Sequence, residues 1–157
     1  MKFDEIFLYF SAYDNNFVEA VLAKLNPGIF CCLNTNLKDN VEVSDITKKG
    51  YQTFKQNVSG GMGGIVLYLN HFLNPSLVPD YISQDFENIW VSFEFPDLYE
   101  IDQRKEKISS VLGVLREPPT NAKSFYSNLA DTTNQSKIKS GPNMILQTLI
   151  FLLFSLQ

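Results

Sequence analysis

Imidazoles and thiols are scarce in this sequence: 157 residues hold one histidine, His71, and two cysteines, Cys31 and Cys32. One imidazole excludes any site built from two, and makes a Ser-His-acid or Cys-His arrangement depend on His71 alone. The cysteines are adjacent inside an apolar run, where neither disulfide geometry nor the spaced thiolates of a zinc site is easily reached. That usage fits a reducing, cytoplasmic setting. Basic charge is also short, with thirteen Lys and Arg against seventeen Asp and Glu and a net charge of −4. Charge alone therefore draws the chain neither to phosphate backbones nor to anionic lipid, and nucleic acid is not an expected partner. The opening MKFDEIFLYF lacks the basic start, long apolar middle and small-residue cleavage site of a secretory signal. Glu94 falls inside a strand-like run, while Asp97, Glu100 and Asp102 suit the start of a following helix. None of these carboxylates has metal-ligand spacing, and no metal site is expected.

What the sequence does hold is core material, 45% hydrophobic and 13% aromatic, enough for a single domain over residues 1–157. The uninterrupted apolar run Ile6 to Phe10 reads as a strand buried on both faces. Behind it Phe17, Val18, Val21, Leu22 and Leu25 recur at helical spacing, with Asn16 and Glu19 as an N-cap and capping-box pair and Pro27-Gly28 as the stop. Ile29 to Leu33 is a second strand. Ser44 opens a second expected helix, lined by Ile46, Phe54 and Val58 and stopped by SGGMGG at 59–64. Ile65 to Leu69 is a third strand and IWVSFEF a fourth. Ile101, Ile108, Val111, Leu112 and Leu115 then mark a helix closed by Pro118-Pro119. This alternation predicts a flavodoxin-like, doubly wound parallel α/β sheet of four or five strands with helices on both faces.

Residues 120–143 turn polar and read as a long surface connection. The last fourteen residues, MILQTLIFLLFSLQ, are the most apolar of the chain. As a helix, 144–157 extends roughly 21 Å, short of the ~30 Å hydrocarbon core, so a packed or interfacial terminal helix is expected rather than a membrane span. SGGMGG runs from an expected helix into a strand, the reverse of a phosphate loop, and reads as a helix end and turn.

In an open parallel sheet, ligands bind beyond the carboxyl ends of the strands. Those ends carry Ser11 to Asp14, Asn34 to Asn36, Asn70 with His71, and Pro96-Asp97, with Asp80 a few residues after the third. Ser11, Tyr13, Asn34, Asn70 and His71 are therefore the candidate binding residues. Two of these positions have a structural alternative: Asp14 suits a helix cap as well as a ligand contact, and His71 suits the end of the third strand.

The stretch IFLYFSAYDNNFVEAVLAKL resembles the opening of a TIR (Toll/interleukin receptor) domain. Phe7, Ser11, Ala12, Asp14, Phe17, Val18 and Leu25 fit its strand, acidic turn and helix. GGIVLYLNHFLNPSLVPDYI is similar to the family's third strand and following segment through Val66, Leu67, Asn70 and Phe72. The likeness spans roughly residues 3 to 95. It implies homotypic assembly, with other TIR domains or copies of the chain as partners, in signalling, defence or pathogen–host interference. Enzymatic members cleave the nicotinamide–ribose bond of NAD with a glutamate, whose position falls at or near Asp80. The resemblance thus implies a catalytic carboxylate at Asp80, with NAD as substrate rather than cofactor. The sequence departs from the family where Ser76 stands near an expected tryptophan, and where LNTNLKDNVEV lacks an acidic-Pro-Gly turn.

Three functions follow from this reading. They are a protein-interaction domain acting by assembly, an NAD glycohydrolase, and a small acidic inhibitor or immunity protein covering a basic partner. A membrane role for the terminal apolar segment is not expected.

Overall fold

The computed structural model describes residues 7–10, 12–57, 63–79, 87–101, 104–116, 127, 131 and 146–153. They fall into two compact units, residues 1–73 and 74–157. In the first, β1 (Phe7–Phe10) leads through α1 (Asn15–Leu25) to β2 (Ile29–Leu33), α2 (Val43–Ile46), β3 (Tyr51–Gln56) and β4 (Ile65–Asn70), with a 3-10 turn at His71–Leu73. The sheet order is β1-β2-β4-β3.

The first β-α-β passage follows the expected pattern. Its helix is capped by Asp14, whose Oδ1 accepts from the Phe17 N–H at 2.9 Å, and not by Asn16. It ends at Asn26, left-handed at φ 42°, whose N–H bonds Leu22 O. Val18 and Leu22 sink into one face of the sheet against Phe30, Cys32, Ile46, Tyr51, Val66 and Tyr68. Each such side chain contributes on the order of 1.5–3 kcal/mol when fully buried. Ile29, Cys31, Ile65, Leu67 and Leu69, on the alternate register positions, are buried as well. Both faces of β2 and β4 are thus dry, which is why these strands read as unbroken apolar runs.

The flavodoxin-like expectation fails at β4. β1 and β2 pair in parallel, with Phe7 opposite Ile29 and Phe10 opposite Cys32, but β4 runs antiparallel to both β2 and β3. The reason lies in the segment expected to be a helix from Ser44 to Val58. Helix α2 stops at Ile46, Gly50 turns at φ 86°, and Tyr51–Gln56 becomes a strand. Ile46, Phe54 and Val58 are spaced by eight and four residues, even numbers that suit a strand's period of two as well as a helix. YQTFKQ, with aromatic and β-branched residues, pairs as a strand. With β3 joined to β4 through a glycine-containing connection, antiparallel pairing replaces the crossover that a parallel sheet requires.

The second unit holds a mixed sheet in the order β5-β6-β7-β8, from β5 (Ser76–Leu77), β6 (Asn88–Ile101), β7 (Arg104–Arg116) and β8 (Leu146–Leu153). β6 contains the expected fourth strand. β7 replaces the helix expected from Ile101 to Leu115, and β8 replaces the expected terminal helix within 144–157. β5, β6 and β7 pair antiparallel, with a register shift between Glu94 and Leu98, and β8 lies parallel to β7. Ile89, Trp90, Val91 and Phe93 on β6 and Val111, Leu112, Val114 and Leu115 on β7 are buried. Adjacent buried residues on each strand bury both faces of this ladder too. Gly113 lies opposite Trp90, and a Cβ there would meet the indole at 2.4 Å, so only glycine leaves room for that ring.

Of the expected polar connection 120–143, Ser127 and Asp131 alone are among the described residues. Among the described residues no helix is long and apolar enough to cross a membrane.

Candidate functional site

Because β3 runs parallel to β1 and β2 while β4 opposes them, the candidate residues separate to opposite ends of the first sheet. The turn after β1 and Asn34 after β2 lie at the end where β4 begins. Asn70 and His71 lie at the end where β4 finishes. Leu33 is paired with Ile65, and Asn70 is five positions further along β4. At roughly 3.4 Å per residue the two ends stand about 17 Å apart along the strand. The single crevice expected to gather Tyr13, Asn34, Asn70 and His71 is not formed. Ser11 and Asp80 lie outside the described residues.

At the first end, Tyr13 is half-buried and its hydroxyl stands 3.2 Å from that of Tyr68. Tyr68 also donates to Ile46 O at 2.9 Å. Burial pushes the Tyr68 phenol far above its ordinary range, and the Tyr13 hydroxyl adds to the rise. The tyrosine expected to meet a ligand therefore ties the β1–α1 turn to β4 and α2. Asp14 serves as the helix cap, one of its two expected roles. Phe17 remains 42% exposed although its ring lies 4.3 Å from that of Phe10.

Asn34 takes a left-handed conformation, φ 49°, at the end of β2, followed by buried Thr35 and by Asn36 at φ 50°. These residues are strapped to the glycine segment. Asn36 N donates to Gly63 O at 2.7 Å, Asn36 Oδ1 accepts from Gly63 N at 2.7 Å, and Thr35 N reaches Gly64 O at 3.4 Å. Gly64 has φ 95°, and a Cβ on it would come within 2.6 Å of Thr35 Oγ1. This is what Gly63 and Gly64, the described end of SGGMGG, supply: a left-handed backbone in close contact with the β2 turn, entering a strand. Among the described residues the element before them is β3 and not a helix, so the expected helix from Ser44 up to the glycines is corrected to a segment ending in a strand.

At the other end, Asn70 works within the fold. Its Nδ2 donates to Asn26 Oδ1 at 3.2 Å, its Oδ1 accepts from Phe72 N at 3.3 Å, and its backbone N–H bonds Gly28 O at 2.8 Å. Tyr51 joins the same cluster, donating to Pro27 O at 2.8 Å, with Asn26 Oδ1 at 3.2 Å from the hydroxyl. Burial raises the Tyr51 phenol, and its hydrogen bond with Asn70 offsets part of that rise. His71 is exposed and begins the 3-10 turn, its N–H bonding Gly50 O at 3.0 Å. His71 thus opens the turn that directly follows β4. Sequence reasoning missed the Asn26–Tyr51–Asn70 cluster. Its signal was Asn26 before Pro27-Gly28, a residue type suited to a left-handed helix end.

The two cysteines are free and buried. As neighbours on a strand they point to opposite faces, so they cannot act as a pair. Burial pushes the Cys32 thiol up to about 12, and burial reinforced by Cys32 holds the Cys31 thiol well above its ordinary range. Neither is a thiolate nucleophile at neutral pH. Lys48 bridges Glu19 at 2.9 Å and Asn15 at 2.5 Å on the surface beside α1. Among the described residues no three of His, Cys, Asp and Glu gather as metal ligands would.

No protein-family model matches the sequence, and no curated protein matches it. A solved structure of the human Nocturnin catalytic domain with bound sulfate is similar at a TM-score of 0.46 and 14% identity. The match covers 87% of this chain and 55% of that one, so the chain spans about half the length of that domain. A likeness that loose supports no inference about activity.

Proposed function

We propose that the chain works by protein–protein contact, assembling with copies of itself in a cytoplasmic setting, and that β8 supplies the contact. The observation that carries this reading is the place of β8 at the edge of the second sheet. Among the described residues it pairs on one side only, with β7. Edge strands are ordinarily blunted by charge, proline or bulges, because their unpaired N–H and C=O groups accept another strand. From Met144 to Gln157 the sequence has no Asp, Glu, Lys, Arg or Pro.

A second copy of β8 is the occupant that suits this edge. Two identical strands paired antiparallel about a two-fold axis satisfy the same backbone groups on both sides, an isologous contact that closes at a dimer. Within the uncharged run, such pairing brings no like charges together although each chain carries −4. Self-association was expected from this segment as a helix, and the strand offers a more specific means of achieving it.

The test is the mass in solution of the whole chain across a concentration series, by light scattering. The wild type rises from 17.9 kDa toward twice that value. A variant carrying Gln147→Lys and Thr148→Lys adds two like charges to this edge strand in each chain and stays at the mass of one chain, with an unchanged circular dichroism spectrum. A wild type that is strictly monomeric at high concentration overturns the proposal.

A further inference from the structure

We draw no further inference here: the strongest candidate, the two-stranded ribbon from Leu98 to Lys107 where β6 and β7 pair with each other beyond the reach of β5 and β8, carries nothing because nothing in the structure shows what covers it.

Discussion

Replacing Gly113 by alanine sets a methyl group 2.4 Å from Cζ3 of Trp90, with Cη2 at 2.6 Å and Cε3 at 2.7 Å. Carbon atoms pack at about 3.5–4.0 Å, so about 1 Å of displacement is required. The ring has little room to give it. Trp90 is 1% exposed, and its Nε1 donates to Asn88 Oδ1 at 3.1 Å, so swinging the indole also costs that hydrogen bond. Overpacking of this kind costs about 1–3 kcal/mol, and the lost bond about 1 kcal/mol more. The reduced freedom of alanine in the unfolded chain returns about 0.4–1 kcal/mol. The net loss is about 1–3 kcal/mol, and each kcal/mol lowers Tm by about 4–8 °C for a unit of this size. Trp90 is the chain's one tryptophan, so its fluorescence during denaturant titration reports on the contact itself. In a Trp90→Leu background the clashing six-membered ring is gone, and adding Gly113→Ala then costs less than about 0.5 kcal/mol. The double-mutant coupling is at least about 0.5 kcal/mol. An alanine variant as stable as the wild type with unchanged emission, or the same cost in both backgrounds, would refute the pairing of Gly113 with Trp90.

Asp14→Ala removes the acceptor for Phe17 N and lowers stability by about 1 kcal/mol, while Asp14→Ser retains most of it; equal losses in chemical denaturation would contradict the capping role. Alkaline pH destabilises the fold with a definite sign. The Cys32 thiol is raised from 9.0 to about 12, so its contribution is whole below pH 9 and is lost as pH rises toward 12. Cys31, Tyr51 and Tyr68 are raised in the same direction. Cys32→Ala should therefore flatten the fall in unfolding free energy between pH 9 and 12, and an unchanged slope would show that this thiol ionises as freely in the fold as out of it.

The sequence made burial legible and strand direction illegible. Ile29 to Leu33 and Ile65 to Leu69 were readable as strands because both faces of each are dry, yet a run of apolar residues contains nothing that distinguishes parallel from antiparallel neighbours. Direction was decided by Tyr51–Gln56, where Gly50 and an even residue spacing concealed a strand inside an apparent helix. The same ambiguity turned the expected helix through Val111 and Leu115 into β7. Residues at positions 108, 111, 112 and 115 satisfy a helical period, but in a strand buried on both faces every position is available to an apolar side chain. The candidate site inherited the error. Asn70 and His71 were placed beside Tyr13 and Asn34 only because all strands were taken to run one way. Asp14 was legible in part, since an acidic residue just before a helical period is itself a capping signal.

Self-pairing of β8 is tested most directly by hydrogen exchange of the whole chain at low and high concentration, read at the amides of Leu146 to Leu153. An edge strand leaves alternate amides open, and a second strand laid against it closes them. Amides in this segment slow by tenfold or more as concentration rises, and Gln147→Lys with Thr148→Lys abolishes the change. Exchange at 146–153 that is independent of concentration, while protection or mass rises through some other segment, would contradict it.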